Sequence, residues 1–414
     1  MLELGPLGHA ALRGGSAAEP TTPSRGRYVP AMTLSFPPFT EEHALLRKTV
    51  RDFTLTHLTP HRHDWDKDGE WPAREMFKKM AELGLLGIRF DERWGGAGLD
   101  WWAHAAFIEE LCQARNGGVV MSIFVHTDIS TPVIHEIGTD AQKQEWLVPA
   151  IRGEKIGALG ITEPGVGSDV ANLQTTARID GDHFVINGAK TYITNGAFAD
   201  FIILAVRTGE AGFAGVSLVI FPTNTPGFSV GKKLDKLGTR SVDSSLLHFE
   251  DCRVPVKNLL GSLNGGFLHI MQNFQGERLV AALMATSGME IQLQDAIEYG
   301  RTRKAFGKPI GVFQVWKHKF AEHLTAVEAA KLLTYNAVQK IQSGEDPTRE
   351  VSMAKLFSAD LAQKVAYDCL QFHGGYGFIE EYDIARAWRD VRLLPIGGGT
   401  SEIMKEIIAK WSGI

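Results

Sequence analysis

The chain has 414 residues, of which 44% are hydrophobic, and a formal net charge of -5. This length and composition suffice for a large core and predict two or three structural units. The acidic balance excludes a nucleic-acid binder that is held by phosphate contacts. Three widely spaced cysteines are typical of a reducing compartment and argue against a disulfide framework or a metal site. No continuous apolar run approaches the ~18 residues of a membrane span.

The N-terminal segment differs in composition from the rest of the chain. The first 31 residues are rich in Gly, Ala, Pro and Ser and lack periodicity, which predicts a disordered extension over residues 1–35. They contain no continuous apolar segment, so a secretory signal is not expected. Two alternatives stay open: a mitochondrial transit peptide, favoured by three arginines and opposed by two glutamates, or an extension upstream of a true start at Met32. The first would place the protein in the mitochondrial matrix; otherwise we expect a cytoplasmic bacterial protein.

Three segments with different periodicities follow. Over residues 36–154 apolar residues recur at helical spacing. Over residues 155–262 the period changes to two, and an Asn-Gly pair within 183–196 predicts a strand–turn–strand hairpin. Over residues 263–414 long helical patterns return. The pattern predicts an α+β fold with an N-terminal helical domain, a middle β-barrel-like or β-sandwich domain and a C-terminal four-helix bundle.

A loop rich in Gly, Ser and Thr, with the sequence T-E-P-G-V-G-S-D, spans residues 162–169 just before the predicted sheet. Such a loop offers backbone N–H groups and hydroxyls to an anionic or polar cofactor. A dinucleotide-binding βαβ unit is excluded, because no G-x-G-x-x-G opens a helix after a strand. Taken alone, the loop is equally well explained as an ordinary cluster of turn residues.

Five motifs together resemble the acyl-CoA dehydrogenase flavoprotein family. They are L-G-I-T-E-P-G-V-G-S-D (159–169), I-N-G-A-K-T-Y-I-T-N-G (186–196), R-T-R-K-A-F-G-K (301–308), Q-F-H-G-G-Y-G-F (371–378) and G-T-S-E-I (399–403). The resemblance covers about residues 36–414. It implies a homotetramer, a dimer of dimers, that binds FAD and converts an acyl-CoA thioester to the trans-2-enoyl-CoA. It also implies that the electrons pass to an electron-transfer flavoprotein.

The resemblance further implies which residues contact the cofactor. Positions along the flavin ring are occupied here by Leu159, Ile161, Thr162, Gly167, Ser168, Tyr192, Ile193, Thr194, Thr400 and Glu402. Positions at the dinucleotide end, some of them contributed by a neighbouring subunit, are occupied by Arg303, Phe306, Gln314, Gln371 and Gly375. Tyr192 departs from the Trp that many members carry. Arg303 can make charge-assisted hydrogen bonds to a pyrophosphate, although by itself it is more typical of a solvated face.

The catalytic base is expected at Glu277. The family's reaction needs a carboxylate that removes the α-proton, and many members carry it at the position that is Gly398 here. Glu277 is the one polar residue of a helical stripe, and a lone carboxylate there is costly unless it is paired or used. The other residues of the stripe are Ile270, Phe274, Ala281 and Met284. Without the resemblance, a tolerated Glu-Arg pair near a helix start is the favoured reading.

The resemblance decides between these readings. Long-chain and isovaleryl members place the base in a Glu-Arg-Leu segment of this helix, which residues 277–279 match, so the resemblance assigns the base to Glu277. We expect the apolar surroundings to raise its pKa. In the family, the backbone N–H at the position of Gly398 holds the thioester carbonyl and stabilises the enolate, as an oxyanion hole does.

The resemblance implies a long or branched acyl group. Gly397 stands where several straight-chain members carry an aromatic residue, and Gly398 stands where many members carry the carboxylate, so both glycines should widen the acyl pocket. The resemblance places Ser168, Gln275, Arg278, Gly398 and Gly399 at the substrate. Two alternatives stay open. One is an acyl-CoA oxidase that uses oxygen, disfavoured because the family's oxidases carry an extra C-terminal helical region. The other is a flavin-binding protein without dehydrogenase activity, disfavoured by Glu277 and by the acidic net charge.

Overall fold

The computed structural model describes residues 36–414, and the predicted disordered extension lies outside the described residues. Residues Phe39–Ile414 form one compact unit. Its first part is helical, in agreement with the sequence pattern. The helices are α1 (Glu41–Phe53), α2 (Arg62–Asp68), α3 (Ala73–Glu82), α4 (Trp101–Leu111), α5 (Gly117–Phe124), α6 (Thr131–Ile137), α7 (Asp140–Gln142) and α8 (Val148–Ile151).

Helices α5 and α6 belong to one continuous helical stretch, Gly117–Ile137, with a π-helical turn between them. The stretch has 21 residues and a mean hydropathy of 1.3, so by length and composition alone it could cross a membrane. However, 89% of its most apolar window is buried inside the fold. It also carries the buried polar residues His126 and Asp128. These are properties of a core helix, so the stretch gives no support to a membrane span.

The middle of the chain forms one sheet. Its strands are β1 (Gly157–Gly160), β2 (Thr176–Asp180), β3 (His183–Thr194), β4 (Phe201–Arg207), β5 (Val216–Pro222), β6 (Phe228–Lys233), β7 (Ser244–Pro255) and β8 (Leu259–Leu260). The strand order is β6-β7-β3-β2-β4-β5-β8, with β1 paired to β4. Closure would require β6 and β8 to pair along their length, and β8 offers only two residues. The described sheet is therefore open, and the barrel-like alternative is wrong.

Strand β3 also corrects the predicted hairpin. It continues without a turn through Asn187 and Gly188, and its pairing with β7 shifts register at this point. The Asn187 side chain bonds to Asp251 on β7 instead of closing a turn. Gly188 has φ +149°, and a Cβ added there would lie 2.6 Å from Thr175 Oγ1. The Asn-Gly pair therefore marks a β-bulge that requires glycine, and residues 190–194 belong to the same strand as residues 183–189.

Strands β4 and β5 are buried on both faces. The residues of β4 alternate between two cores, as the period of two requires. Those in the core shared with the next helix, α9 (Gly266–Thr302), are Phe201, Ile203 and Ala205, and those in the second core are Ile202, Leu204 and Val206. From α9 the first core receives Ile270 and Phe274. This packing seats the first turns of α9 on the sheet.

The last part of the chain is a helical bundle. After α9 come a short hairpin of β9 (Lys304–Ala305) and β10 (Lys308–Pro309), then α10 (Gln314–Gln342), α11 (Thr348–His373), α12 (Asp383–Asp390) and α13 (Ser401–Trp411). Helices α9, α10 and α11 pack on one another, and α13 packs on α11. The described bundle thus has three long helices and a shorter one in α13. The segment between α12 and α13 carries the glycine triplet 397–399.

Candidate active site

Glu277 lies on α9 beside the glycine triplet. A Cβ built on Gly398 would lie 3.3 Å from Glu277 Oε1. The Glu277 side chain is half-buried, and its Oε2 is buried without a hydrogen-bond partner among the described residues. Burial raises the pKa of Glu277, against the opposing charges of Arg278 and Lys355. A carboxylate with a raised pKa and unpartnered oxygens is suited to accept a proton from a molecule bound beside it.

The glycine triplet adopts a conformation that favours glycine. Gly398 has φ +64° and Gly399 has φ +96°, both in the left-handed region. A Cβ at Gly399 would also lie 2.8 Å from Met404 Cε. Within the described part of the chain, the N–H of Gly398 donates no hydrogen bond. The triplet therefore presents a free backbone donor next to the Glu277 carboxylate, and such a donor is the kind of group from which an oxyanion hole is built.

Two buried cations hold this segment in place. Arg278 Nε donates to Gly398 O at 3.1 Å, and Lys355 Nζ donates to Gly399 O. Arg278 is 4% exposed and Lys355 is 1% exposed. A third bond joins Ser401 Oγ to an oxygen of Asp360, at 2.9 Å. The backbone on both sides of Gly399 is thus anchored to α9 and α11.

The sequence analysis missed Lys355, although a signal for it exists. Lys355 is the one charged residue in a stripe of α11 with the same spacing as the stripe that contains Glu277. The other residues of that stripe are Val351, Ser358 and Ala362, all buried. A lone charge among small and apolar neighbours is costly, whether it is an acid or a base. The same test that singled out Glu277 would have found Lys355.

The two segments predicted to line the flavin ring lie side by side. Thr191 N–H donates to Thr162 O at 2.9 Å. Beneath them Lys190 Nζ donates to Ile161 O at 2.9 Å and to Glu163 Oε1 at 2.8 Å. Burial lowers the pKa of Lys190 to about 8, although the Glu163 carboxylate favours the charged form. This buried ion pair fixes the loop against β3. It also escaped the sequence analysis, although both residues stand inside the motifs that carry the resemblance.

The predicted flavin-side residues differ in exposure. The buried residues are Ile161 and Ile193. The half-buried residues are Leu159, Thr162 and Thr194, and the exposed residues are Gly167, Ser168 and Tyr192. Tyr192 is 68% exposed and has φ +60°. A Cβ added at Gly167 would meet no atom within 4 Å. The exposed residues leave room for a planar ring, while the buried ones shape the wall behind it.

Ile161 connects this wall with the helix that carries the base, because it packs in the same core as Phe274, one turn before Glu277.

Three further predicted site residues lie on α9 or at the start of α13. Thr400 caps α13 by accepting a hydrogen bond from Ile403 N–H at 3.3 Å. Glu402 is exposed in the first turn of α13, where a backbone hydrogen bond and Thr400 lower its pKa. Gln275 Oε1 is buried without a partner among the described residues, which leaves it available to a ligand.

The residues predicted at the dinucleotide end form a second, exposed group, which we call the α9–α10 corner. Its residues are Arg303, Phe306, Gln314, Gln371 and Gly375, all of them exposed. The Arg303 guanidinium lies 5.6 Å from the Tyr376 ring centroid, which joins the 303 segment to the 375 segment. Phe306 is 93% exposed. The Arg303 guanidinium and the Phe306 ring are therefore both accessible to a molecule that binds at this surface.

The structure does not bring the α9–α10 corner to Glu277. Arg303 directly follows α9, so it lies roughly 39 Å from Glu277 along the helix axis at a rise of 1.5 Å per residue. One dinucleotide cannot reach across that distance. Glu277 and Arg303 of one chain therefore cannot contact the same cofactor molecule.

A cavity of about 320 Å³ lies further along α9. Its lining includes Met284, which is two turns beyond Glu277 on the same stripe, and Leu393, which lies 3.6 Å from a Cβ built on Gly397. Glu277 and the triplet are not among the lining residues, and the cavity begins about 10 Å along α9 from Glu277, at Met284. Its far end is more polar and includes Gln292 and Asp295. Among the described residues no group of three or more His, Cys, Asp or Glu side chains could hold a metal ion.

Comparison with protein families accounts for this architecture. The acyl-CoA dehydrogenase N-terminal domain matches residues 40–154, the middle domain matches residues 158–252, and the C-terminal domain matches residues 264–413. The chain therefore belongs to the acyl-CoA dehydrogenase family. It is a flavoprotein-family oxidoreductase that acts on acyl-CoA.

Individual relatives span almost the same length. The chain is 40% identical over 372 residues to the 3-(aryl)acrylate reductase of Clostridium sporogenes, covering 90% of this chain and 98% of the relative. It is 39% identical over 375 residues to the mitochondrial long-chain specific acyl-CoA dehydrogenase of Sus scrofa, covering 90% and 86%. The isovaleryl-CoA dehydrogenase of Pongo abelii is 37% identical over 374 residues, covering 89% and 88%.

Solved structures agree with the fold. A probable acyl-CoA dehydrogenase from Mycobacterium abscessus superimposes with a TM-score of 0.88 at 43% identity, covering 90% of this chain and 99% of that chain. An acyl-CoA dehydrogenase from Bacillus anthracis, complexed with FAD, gives 0.87 at 29% identity, covering 91% and 68%. A chain of a structure described as the electron transferring flavoprotein of Acidaminococcus fermentans gives 0.87 at 34% identity, covering 90% and 98%.

Proposed function

We propose that this chain is an FAD-dependent acyl-CoA dehydrogenase in which Glu277 removes the α-proton of the thioester. The observation that carries the proposal is the pairing of a free carboxylate with a free backbone donor. Glu277 has a raised pKa and makes no hydrogen bond to the described residues, while the N–H of Gly398 is equally free. Abstraction of an α-proton needs a base on one side and a donor to the carbonyl oxygen on the other.

The residues present fit FAD. The exposed Tyr192 and the open space at Gly167 offer a surface to the ring, and Arg303 offers a charge to a pyrophosphate. When bound, FAD would accept the β-hydride as the α-proton leaves. This chain's own part is to orient the thioester, to hold its carbonyl with the Gly398 N–H and to take the proton on Glu277. The product would be a trans-2-enoyl-CoA.

Two subunits complete each FAD site in this proposal. It is supported by the distance of roughly 39 Å along α9 between Glu277 and the α9–α10 corner. The ring would lie against one chain's loop and the dinucleotide end against the corner of a neighbour, in a homotetramer. An electron-transfer flavoprotein is the proposed acceptor, which the similarity to the Acidaminococcus fermentans chain supports.

Long or branched acyl groups are the proposed substrates. The cavity beside Met284 supports this, since a methylene occupies roughly the volume of a water molecule, about 30 Å³, so that 320 Å³ holds about ten. Glycine at 397 adds no side chain beside Leu393, which lines the cavity, and glycine at 398 adds none beside Glu277. The similarity to long-chain and isovaleryl relatives points in the same direction.

A second candidate is the same chemistry in the reducing direction. The 40% identity to a 3-(aryl)acrylate reductase favours it. In that case Glu277 would deliver a proton instead of accepting one, and the cavity would receive an aryl group. Because both directions use the same base and the same donor, only the preferred substrate and the electron flow separate them.

Anaerobic bleaching of the flavin tests the proposal. The purified protein is mixed with butyryl-, isovaleryl-, octanoyl-, palmitoyl- and 3-phenylpropionyl-CoA, each in turn. We expect octanoyl-, palmitoyl- or isovaleryl-CoA to bleach the flavin fastest, and preference for 3-phenylpropionyl-CoA would favour the second candidate. If no acyl-CoA bleaches a fully flavin-loaded protein, the proposal is wrong. Rapid reoxidation in air without an added acceptor would instead identify an oxidase.

A further inference from the structure

Lys355 has no place in the function as proposed so far, yet its setting is unusual. Its side chain is 1% exposed and is among the largest fully buried ones in the described structure. The ammonium makes one hydrogen bond among the described residues, to Gly399 O, and it forms no ion pair with a described carboxylate. A buried ammonium without a paired carboxylate is expensive. Such a cost is typical of a group that serves function.

The charges that face Lys355 come from three helices. Glu277 and Arg278 belong to α9, Asp360 belongs to α11, and Glu402 belongs to α13. The three carboxylates favour the charged form of the ammonium. Burial and Arg278 oppose them and lower the pKa of Lys355 to about 8. In return, the ammonium favours the ionised form of Glu277.

The hydrogen bond of Lys355 acts on the backbone beside the free donor. Gly398 and Gly399 both lie at positive φ, where glycine peptides can rotate at little steric cost. Arg278 holds the carbonyl of Gly398, and Lys355 holds the next carbonyl, that of Gly399. The Gly398 N–H belongs to the peptide group just before these two, and on its other side the Gly397 N–H donates to Leu393 O at 2.9 Å. Because the peptide groups on both sides are held, the direction of the Gly398 N–H is restricted as well.

We propose that Lys355 is a positioning residue for proton abstraction. It holds the Gly399–Thr400 peptide, next to the Gly398–Gly399 peptide that Arg278 holds, and so restricts the direction of the Gly398 N–H toward the thioester oxygen; its charge keeps Glu277 in the carboxylate form that accepts the proton. This inference rests on the proposed function, because it assigns Lys355 a role in the same reaction. It involves no contact between Lys355 and the substrate.

Two substitutions separate the two effects. Lys355→Met removes both the charge and the donor, whereas Lys355→Gln removes the charge and keeps an N–H donor for Gly399. Lys364→Met, on the exposed face of the same helix, is the matched control. The rate of anaerobic flavin reduction by the preferred acyl-CoA is measured from pH 6 to pH 9. In parallel, hydrogen–deuterium exchange is measured over residues 391–400.

The expected results follow from the sign of each interaction. Removing the cation raises the pKa of Glu277, so the rising limb of the pH–rate profile moves to higher pH in both Lys355 variants. At pH 7 the Met variant loses at least ~10-fold in rate, because the donor is also misplaced, and the Gln variant loses less. Exchange over residues 391–400 increases in the Met variant and stays closer to wild type in the Gln variant. Lys364→Met leaves the pH–rate profile and the exchange unchanged.

A stable Met variant is expected, because an apolar side chain of similar length avoids the burial of a charge; should it fail to fold, the Gln variant still reports the pH shift. Wild-type pH profiles and wild-type exchange in the Lys355 variants, with the wild type bleached normally, would overturn the inference and leave the proposed function intact. A wild type that no acyl-CoA bleaches would overturn the proposed function and this inference together. The two failures are therefore distinguishable.

Discussion

The two groups of candidate site residues are built in opposite ways. Around Glu277 the charges are buried, and Arg278 and Lys355 each bond to a glycine carbonyl. At the α9–α10 corner Arg303 and Phe306 are exposed, and Gly375 has no atom within 4 Å of an added Cβ. The groups around Glu277 are thus held in place by contacts within one chain, whereas the side chains of the corner are exposed and form no enclosed pocket within the described chain. We infer that one chain forms the reacting centre and that the corner acquires its function from a neighbour.

The largest effect is expected when the proposed base, which distinguishes the Glu277 side from the corner, is removed. Glu277→Gln keeps the size of the side chain but cannot take the proton, so we expect flavin reduction by acyl-CoA to fall by at least ~10²-fold with FAD retained. Stopped-flow bleaching and the flavin content of the purified protein measure both quantities. Undiminished bleaching would show that the proton acceptor lies elsewhere.

The same variant tests the burial of the carboxylate. Because the pKa of Glu277 is raised in the folded chain, its contribution to stability is present below its unfolded pKa and is lost as pH rises through the folded pKa. Glu277→Gln lacks this loss, so its thermal midpoint should exceed that of the wild type at pH 8, with the difference shrinking toward pH 5. An equal difference at both pH values would contradict a raised pKa.

A smaller effect is expected from the backbone donor. Gly398→Ala places a methyl group at φ +64° and 3.3 Å from Glu277 Oε1, and the left-handed conformation costs about 1–2 kcal/mol. We expect about a tenfold loss in the rate of flavin reduction. Gly397→Ala is the matched control, since its Cβ would meet Leu393 at an ordinary 3.6 Å. Equal losses in both variants would contradict a specific role of Gly398 as the donor to the thioester carbonyl.

The corner is tested by cofactor retention. Arg303→Ala should weaken FAD binding by about tenfold or more, on the scale of one lost charge-assisted hydrogen bond. Arg301→Ala, which loses only an exposed ion pair with Glu298, is the control. Flavin content after gel filtration and titration of the apoprotein with FAD provide the measurements. Full retention of FAD by the Arg303 variant would contradict a role of the corner in FAD binding, and it would not affect the assignment of Glu277 as the base.

The last expected effect concerns the preferred length of the acyl chain and leaves the overall activity in place. Gly288 lines the cavity, and an added Cβ would have only Gln292 near it, at 3.9 Å. Gly288→Leu should fill the space and lower the ratio of palmitoyl-CoA to butyryl-CoA rates by about tenfold, because each methylene in such a pocket contributes about 1–3 kcal/mol. Gly288→Ala should leave the ratio nearly unchanged. An unaltered ratio in the Leu variant would show that the acyl chain does not bind in this cavity.

The larger elements of the fold could be predicted from the sequence, because each one depends on local periodicity. The helix–sheet–helix order and the long C-terminal helices follow from spacings of 3.6 and 2. Glu277 stood out for the same reason, as one charge in an apolar stripe. The Asn-Gly pair at 187–188 shows the limit: the dipeptide fits a turn, but pairing with β7 decided for a bulge.

What the sequence alone determined was therefore the order and type of the elements and the identity of an unexplained carboxylate. What only the tertiary structure decided was which distant groups meet. Lys355 and Gly399 are 44 residues apart, and Glu163 and Lys190 are 27 apart. Sheet closure likewise depended on whether β6 and β8 could pair, which no local pattern records. Periodicity reports which face of an element is buried, but only packing determines which partner covers it.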